Sequence, residues 1–254
     1  MATFLLEIGT EELPADFARL ALPQLESLCG RCLAEESLEH SALAVSSTPR
    51  RLVLQVEGLP LQQPDRLEEH KGPPAAQAFR DGAPTQAAIG FARRCGVEPG
   101  DLAVRETPKG PFVFATARLA GRPTAEVLAE AIPSWLQALQ GRRFMRWGVG
   151  ETRFSRPVRW LVALLDQVLI PVILDGTDPE VRSDRITRGH RLHGRTGTLA
   201  SAADHAATLA DLGVLVDRRE RGRVIRTAIE ERARTLEARP DLPWATGESL
   251  TIDW

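Results

Sequence analysis

Short apolar stretches typical of strands occur along the whole chain. They cover residues 4–10, 51–57, 102–106, 112–119, 158–165 and 168–174. In the second stretch Leu52, Leu54 and Val56 occupy alternate positions and so share one face, which predicts a half-buried strand. Pro-Lys-Gly separates the third stretch from the fourth, and Asp-Gln separates the fifth from the sixth. The last four stretches therefore predict two hairpins, and the second of these is apolar enough to be partly buried on both faces.

Longer stretches place apolar residues every three or four positions, as in a helix that packs on one face. The first runs through residues 17–28 and contains Pro23, which removes a backbone donor. We expect that helix to be kinked or restarted at the proline. Two more helices are predicted over residues 84–95, where Gly96 suits the C-terminal end, and over residues 124–139.

The C-terminal third of the chain has a helical pattern. Ser201 and Asp204 precede an alanine-rich stretch, and Asp217 with Glu220 forms a capping box ahead of a helix that reaches Leu236.

The order of these elements favours one fold class. Residues 60–74 are polar and contain four prolines, which predicts a long loop. Strand hairpins interspersed among helices, with a helical end, indicate an α+β fold with a mixed or antiparallel sheet and packed helices. A doubly wound α/β fold fits this order less well.

The composition is that of an ordinary globular protein, with 43% hydrophobic residues, 26% charged residues and a net charge of −2. It excludes a disordered tail, a collagen-like fibre and a disulfide scaffold. No apolar run approaches the roughly 20 residues that cross a bilayer, and the N-terminus has an acid where a signal peptide has base. Three cysteines fit a reducing compartment. We therefore expect a cytoplasmic protein with no membrane partner.

Charge is unevenly distributed along the chain. Residues 1–40 contain eight acids and two arginines, whereas residues 142–159 contain six arginines and one glutamate. If the fold leaves these two segments on different faces, a basic surface results despite the acidic pI. The alternative is that both segments are ordinary solvated surface.

The arginine-rich segment is the best functional signal. Arg142, Arg143 and Arg146 alternate with Phe144 and Trp147. Guanidinium groups interleaved with aromatic rings can bind phosphates and stack on unpaired bases, which indicates an RNA contact. A packed core whose arginines extend to solvent is the competing interpretation.

Other candidate chemistry has little support. Cys29 and Cys32 have the spacing of a Cys-x-x-Cys redox motif, but they lie in a predicted helix with no strand before it. His190 and His193 could bind a metal only with further ligands, and no third ligand is spaced around them. The sequence has no nucleophile elbow and no phosphate-binding P-loop. We therefore predict no metal site and no catalytic residue.

An acidic cluster lies at the end of the first predicted strand. Glu7, Glu11 and Glu12 could do acid–base chemistry or bind a metal. The simpler interpretation places them at the first turn of a helix that begins at Pro14, where the helix dipole favours acids.

Particular strings are more specific than composition. In chain order they are Phe-Leu-Leu-Glu-Ile-Gly-Thr-Glu-Glu-Leu-Pro (4–14), Thr-Pro-Arg-Arg-Leu (48–52), Lys-Gly-Pro (71–73), Pro-Thr-Gln-Ala-Ala-Ile-Gly-Phe-Ala-Arg (84–93), Lys-Gly (109–110), Met-Arg-Trp-Gly (145–148), Phe-Ser-Arg-Pro-Val (154–158) and Arg-Gly-His-Arg (188–191). Together they resemble the N-terminal part of the beta subunit of the bacterial two-subunit glycyl-tRNA synthetase. The likeness extends to about Arg239.

The resemblance implies a domain organisation. Residues 1–198 would form a tRNA-synthetase B3/4-type α+β domain, and residues 199–254 would be a helical connection toward a missing HD-type domain. We accordingly expect an N-terminal fragment or a truncated gene product, inactive in isolation.

The resemblance also implies a function and partners. The family is a glycine–tRNA ligase of α2β2 composition that attaches glycine to its tRNA. The alpha subunit uses ATP with magnesium for the activation chemistry, so this segment would bind no cofactor. Its partners would be the alpha subunit and the tRNA for glycine, with no DNA.

In a tRNA-binding protein the arginines become candidate phosphate contacts. The candidate residues are Arg50, Arg51, Arg142, Arg143, Arg146, Trp147, Arg156, Arg188, His190 and Arg191. Gly148, Pro157 and Gly189 are expected to shape the backbone rather than to touch a ligand.

Two alternatives to tRNA binding remain. A B3/4-like fold is associated with editing in another synthetase, so Glu7, Glu11 or His190 could act on a mischarged tRNA, although no nucleophile and base pair is visible. The segment could instead be a structural brace that docks the alpha subunit through its acidic N-terminal surface.

The arginine-rich segment generates a first prediction. Each lost phosphate contact lowers the salt slope of RNA binding by about 0.7 to 0.9, because fewer counterions are released. The triple variant Arg142→Ala, Arg143→Ala, Arg146→Ala should therefore show a smaller slope in a tRNA titration across salt concentrations. An unchanged slope would contradict phosphate contacts by residues 142–146.

Overall fold

A computed structural model of the chain describes residues 1–80, 82–147, 152–174, 176–177 and 179–235. Two predictions concern residues outside the described part of the chain: that Gly148 shapes the backbone, and that the last helix reaches Leu236. Residues 236–254 all lie outside it. Within the described part, no helix combines the length and apolar character needed to cross a membrane.

Strands and helices alternate along the chain. The strands are β1 (Ala2–Thr10), β2 (Ala42–Thr48), β3 (Arg51–Leu59), β4 (Arg66–Pro74), β5 (Phe79–Arg80), β6 (Ala83–Pro84), β7 (Ala103–Thr107), β8 (Gly110–Leu119), β9 (Met145–Arg146), β10 (Arg153–Phe154), β11 (Val158–Leu165), β12 (Val168–Leu169), β13 (Ile173–Leu174), β14 (Val181–Asp184), β15 (Ile186–Arg188) and β16 (Thr196–Thr198). The helices are α1 (Ala15–Glu35), α2 (Ala75–Ala78), α3 (Gln86–Cys95), α4 (Thr124–Ala138), α5 (His205–Asp211) and α6 (Arg218–Thr235), with 3-10 turns at Pro99–Asp101 and Ala202–Asp204. The chain is mixed α and β with mixed sheets, compatible with the expected α+β class.

Two compact units make up the chain. The larger unit contains Met1–Leu61 and Pro123–Trp254, and the smaller unit is Gln62–Arg122. The smaller unit is thus inserted between β3 and α4 of the larger one, which the sequence pattern did not reveal. The boundary expected between residues 198 and 199 stays a prediction.

A mixed sheet forms the centre of the larger unit, with strand order β13–β14–β11–β1–β3–β2 and β12 beside β11. β1 pairs antiparallel with both β11 and β3, whereas β14 runs parallel to β11. The predicted hairpin at 158–174 is confirmed in part, because β12 pairs with β11 but the chain then leaves to form β13.

One face of this sheet packs against helices. Phe4, Leu6 and Ile8 of β1 face α1 and α4 in the main hydrophobic core. α1 continues through Pro23 without interruption, so the expected restart is wrong. Pro23 lies on the exposed side of the helix, while Leu25 and its neighbours on the other side are buried and hold the helix against the sheet.

The other face of the sheet is also buried, which makes the expectation of a half-buried β3 wrong. Leu5, Val53 and Val162 pack there with Leu199 and Ala202, which come from the chain after β16. The C-terminal part of the described chain therefore covers a face that a two-layer fold would leave in solvent. Because residues 5, 7 and 9 of β1 point to this covered face, any polar side chain among them is buried.

The smaller unit has its own sheet and core. Its strand order is β4–β8–β7, with α3 packed against Val113 and Ala115 of the central strand. The predicted hairpin of β7 and β8 is confirmed, as is the helix that ends at Gly96, which has a left-handed φ of 67°. The predicted loop at 60–74 is wrong over Arg66–Pro74, where β4 pairs antiparallel with β8.

Both helix starts predicted in the C-terminal third are confirmed. Ser201 and Asp204 form a reciprocal capping box, with the Ser201 backbone N–H donating to the Asp204 carboxylate at 2.8 Å. Asp217 accepts the backbone N–H of Glu220 at 2.9 Å ahead of α6.

A glycine in β1 generates a stability prediction. A Cβ at Gly9 would lie 1.9 Å from the indole ring of Trp160, whereas a Cβ at Gly30 in α1 would meet nothing within 4 Å. Gly9→Ala should lower the free energy of unfolding by about 2–3 kcal/mol because the ring cannot stay in place. The control Gly30→Ala should raise it by about 0.5–1 kcal/mol, because alanine favours a helix. Urea denaturation of both variants checks this, and equal stabilities would contradict the packing at Gly9.

Candidate nucleic-acid interface

A carboxylate is buried at the centre of the covered sheet face. Glu7 is fully buried in β1 between Val53 of β3 and Val162 of β11. Because side chains alternate along β1, Glu7 points away from α1 and α4 and toward the segment that follows β16. Its position in the middle of a strand makes the helix-dipole interpretation of Glu7 wrong, and the acid in the first turn of α1 is Asp16.

Polar side chains from four elements surround the Glu7 carboxylate. Its Oε1 accepts hydrogen bonds from the Trp160 indole N–H at 2.5 Å, the Thr187 hydroxyl at 2.7 Å and Arg51 Nη1 at 3.3 Å. Its Oε2 lies 2.5 Å from Nε2 of His205. These partners come from β11, β15, β3 and α5, so the carboxylate joins the sheet to the C-terminal segment. We call Glu7 and these four residues the Glu7 cluster.

The cluster keeps Glu7 ionised. Burial by itself would raise its pKa, but the His205 hydrogen bond, the Arg51 charge and the Trp160 hydrogen bond together lower the pKa to about 2. An ionised carboxylate only accepts hydrogen bonds, so Nε2 of His205 bears the proton and donates it. The favourable interactions outweigh the desolvation cost because nearly every lone pair is used.

Arg51 extends the cluster toward the surface. Its Nη2 donates to the backbone carbonyl of Arg188 at 2.5 Å, at the end of β15. Its guanidinium lies 5.4 Å from the ring centroid of Trp160, and the guanidinium of Arg188 lies 5.0 Å from the same ring. Gly9 is the register partner of both Arg51 and Trp160, and its missing side chain leaves room for the indole across β1.

A cavity of about 320 Å³ lies beside this end of the sheet. It is lined by Glu12, Thr48, Pro49, Arg50, Arg51, Gly189, His190, Arg191, Gly213, Val214, Leu215, Arg221 and Ile225. We call it the arginine cavity. At this cavity the segment after β15 is held against the end of α5, because the backbone N–H of His190 donates to the Leu212 carbonyl at 3.0 Å. Gly189 is packed so tightly that a Cβ would lie 2.7 Å from Leu212 Cβ.

Acids at the end of β1 form ion pairs with the nearby arginines. Glu11 accepts a hydrogen bond from Arg159 Nε at 2.7 Å and lies 3.9 Å from Arg50 Nη2. Glu12 forms an exposed ion pair with Arg191. The expectation of opposite charges on different faces is therefore wrong at these residues, because the end of β1 delivers both acids to the basic rim.

The predicted tRNA contacts fall into distinct places. Arg50, Arg51, His190 and Arg191 line the arginine cavity, and Arg188 stacks near it on Trp160. Arg51 is only 2% exposed, so its guanidinium is engaged inside the protein and we correct its predicted role from a phosphate contact to a support of the rim.

The other candidates do not line this cavity. Arg142, Arg143 and Arg146 are exposed, and Arg156 is half-buried and donates to the Ser155 carbonyl at 2.8 Å. Trp147 is half-buried against the main core, which favours packing over base stacking. These residues form a second basic region, held in place because Phe144 packs on the rings of α1 and β10.

Redox and metal chemistry gain no support from the geometry. Burial raises the pKa of the Cys29 thiol to about 12 and also raises that of Cys32, which suppresses the reactive thiolate. His190 and His193 have ring centroids 5.4 Å apart. Among the described residues, no group of three or more His, Cys, Asp and Glu side chains could hold a metal ion.

Sequence reasoning missed several residues of this site. His205, Thr187 and Trp160 were not singled out, and neither was Arg221, which fastens α6 to β2 by donating to the Ser47 carbonyl at 3.2 Å. The available signal was a glutamate inside an apolar strand, since a buried acid requires buried donors from elsewhere in the chain.

The Glu7 cluster generates a pH prediction. The folded pKa of Glu7, about 2, lies below the ordinary value of 4.5, so its stabilisation is present above pH 4.5 and is lost as pH falls toward 2. The loss is on the order of 3 kcal/mol. In Glu7→Gln this part of the acid dependence should disappear, and stability at neutral pH should fall by about 3–5 kcal/mol because Arg51 loses its counter-charge. Urea denaturation at pH 2.5 to 7 measures both effects.

The matched control is Glu57→Gln, which changes an exposed carboxylate on β3. It should leave the acid dependence of stability as in the unmodified chain. If Glu7→Gln also keeps that dependence, the charge of Glu7 does not stabilise the fold.

Comparison with known proteins assigns the chain to a family. Residues 4–245 match the family model described as glycyl-tRNA synthetase beta subunit. The chain is 49% identical over 93% of its length to the glycine–tRNA ligase beta subunit of Synechocystis, and 48% identical over 94% to that of Acaryochloris marina. A more distant relative from Desulforamulus reducens is 40% identical over 91% of the chain.

The matched region is a limited part of these relatives. The chain spans about a third of their length, 33% of the Synechocystis protein and 34% of the Acaryochloris protein. The strings quoted from the sequence and the comparisons agree, and the chain belongs to the glycyl-tRNA synthetase beta subunit family.

Proposed function

We propose that this chain acts within a glycine–tRNA ligase, as the N-terminal part of a beta subunit that works with an alpha subunit in an α2β2 complex. In this proposal the chain holds the tRNA for glycine and supports subunit architecture. The alpha subunit binds ATP with magnesium and performs the activation chemistry, so this segment needs no cofactor. The protein would act in the cytoplasm.

The observation that supports tRNA binding is the basic rim of the arginine cavity. Arg50 reaches this rim from the turn before β3, and Arg188 and Arg191 reach it from the segment around β15. The Glu7 cluster fixes the two segments to each other. Guanidinium groups on a rigid support bind phosphates with little loss of side-chain entropy.

The acids on the rim do not prevent phosphate binding. Arg191 is 60% exposed and its partner Glu12 is 54% exposed. Exposed ion pairs of this kind contribute only about 0–1 kcal/mol, so a tRNA phosphate can replace the carboxylate at small cost. Glu11 and Glu12 then discriminate against weakly bound anions, because an incoming phosphate must displace a partner.

The fold proposal is a B3/4-type domain over residues 1–198, followed by a helical connection. The mixed sheet with helices on one face and the C-terminal segment on the other is compatible with it. The second basic region, with Arg142, Arg143, Arg146 and Arg156, is a further proposed tRNA contact.

The geometry gives the editing alternative less support than tRNA binding. Glu7 is fully buried and its carboxylate oxygens are occupied by the Glu7 cluster, so it is not placed to activate water. Glu11 is held by Arg159. The structural brace remains the second candidate, and two acids on α1, the exposed Glu26 and the half-buried Asp16, would belong to its docking surface.

The tRNA proposal predicts a defined salt effect. The double variant Arg188→Ala, Arg191→Ala should weaken binding of glycine tRNA by about tenfold and lower the slope of log affinity against log salt by about 1.5, since two phosphate contacts are lost. Filter binding or fluorescence anisotropy across salt concentrations, with and without the alpha subunit, measures both quantities.

The matched control is Arg118→Ala with Arg182→Ala. These arginines are also exposed and ion-paired, to Asp65 and Glu180, but do not line the cavity. The control should keep the original slope. If the control lowers the slope as much as the test variant does, the loss of binding reflects general charge and not contacts at the rim.

A further inference from the structure

The arginine cavity has an apolar wall as well as a basic rim. Pro49, Val214, Leu215 and Ile225 line it, and Ile225 is 39% exposed on α6. Phosphate binding alone gives no reason for this wall, since phosphates interact with cations and N–H donors. A cavity that is largely apolar with a few convergent polar groups is typical of a small-molecule or nucleotide site.

Four of the lining residues are arginines: Arg50, Arg51, Arg191 and Arg221. Arg50 and Arg191 are held loosely by rim acids, and Arg221 is half-buried with Nη1 donating to the Leu215 carbonyl at 2.6 Å. Burial lowers the pKa of Arg221 from its ordinary value, yet it remains far above neutrality because guanidinium is strongly basic. Against these cations, the lining contains the single carboxylate of Glu12.

A second observation points to a ligand. Arg51 lines the cavity, is 2% exposed, and its Nε has no hydrogen-bond partner among the described residues. Its Nη1 and Nη2 are used by Glu7, Thr187 and the Arg188 carbonyl. Buried donors are seldom left unsatisfied, so a ligand acceptor that reaches this Nε would remove the penalty.

Size and charge exclude several ligand classes. At about 320 Å³ the cavity is too small for a duplex. The basic lining disfavours a free amino acid, whose ammonium group would meet four arginines and a single carboxylate, Glu12. A flat heteroaromatic base fits an apolar wall, and its phosphate fits the arginines. RNA is recognised mainly through such splayed, unpaired nucleotides.

We propose that the arginine cavity binds one unpaired nucleotide of the tRNA, with the base against the Pro49, Leu215 and Ile225 wall and the phosphate at Arg50 and Arg191. This inference rests on the proposed function, because the nucleotide belongs to the bound tRNA. The two basic regions would then differ in role: the second region contacts backbone alone, and the cavity captures a base.

The test uses two neighbouring valine and isoleucine positions on α6. Val224 and Ile225 are each 39% exposed, but only Ile225 lines the cavity, so both accept a glutamate without loss of folding. Ile225→Glu removes part of the apolar wall and adds a negative charge. It should lower affinity for glycine tRNA by about tenfold, the effect of losing one stacked base. Val224→Glu adds the same charge outside the cavity lining and leaves the apolar wall intact, so it should lower the affinity by no more than about twofold, as for a solvent-screened surface charge.

Direct binding of small probes distinguishes the ligand. We expect AMP or CMP to shift the NMR signals of Ile225 and Gly213, more strongly than ribose 5-phosphate or inorganic phosphate at equal concentration, and Ile225→Glu to remove the shifts. If inorganic phosphate binds as well as AMP, or an acidic peptide binds with the same sensitivity to Ile225→Glu, the nucleotide assignment is overturned.

The outcomes separate this inference from the proposed function. Salt-dependent tRNA binding that is equal in Ile225→Glu and Val224→Glu, with no shifts from AMP or CMP, overturns the cavity assignment and leaves tRNA binding in place. If the chain binds AMP or CMP but does not bind tRNA, the proposed function is overturned. The cavity then remains a nucleotide site.

Discussion

The larger unit depends on a buried negative charge in the middle of its central strand. An ionised Glu7 without partners would cost more than the fold can supply, so β1 can occupy the centre of the sheet only if donors from other elements reach it. Arg51 comes from the neighbouring strand, but Thr187 and His205 come from chain that is 180 and 198 residues away. The carboxylate thus makes the covered sheet face specific for the C-terminal segment, where apolar contacts alone would accept many arrangements.

The same cluster positions the candidate interface. Arg51 connects the buried carboxylate to the Arg188 backbone, so the segment that presents Arg188, His190 and Arg191 is attached to the most rigid part of the sheet. Trp160 adds a flat surface shared by several guanidinium groups, with room for its ring provided by Gly9. A binding rim built on strands and a buried ion pair keeps its geometry when solvent-facing ion pairs exchange.

The local pairing of acids and arginines also explains how an acidic chain can offer a basic surface. The net charge is −2, and the rim acids Glu11 and Glu12 compensate nearby arginines. Exposed pairs of this kind give way to a better ligand at small energetic cost, whereas the buried pair of Glu7 and Arg51 does not. In the proposed function the exposed set of charges serves recognition, whereas the buried set serves architecture.

By itself the sequence determined much of the local structure. Periodicity, turn residues and capping predict the strand β1, the hairpin of β7 and β8, the helix that ends at Gly96, and the capped starts of α5 and α6. These signals suffice because each acts over a few positions of the chain. The sequence also determined the family through ordered strings. Only the tertiary structure decided that β4 is a strand, that both faces of β3 are buried, that Glu7 meets His205, and that Glu12 meets Arg191. Those outcomes depend on contacts between residues far apart in the chain, and no local pattern encodes which distant segment will supply the partner.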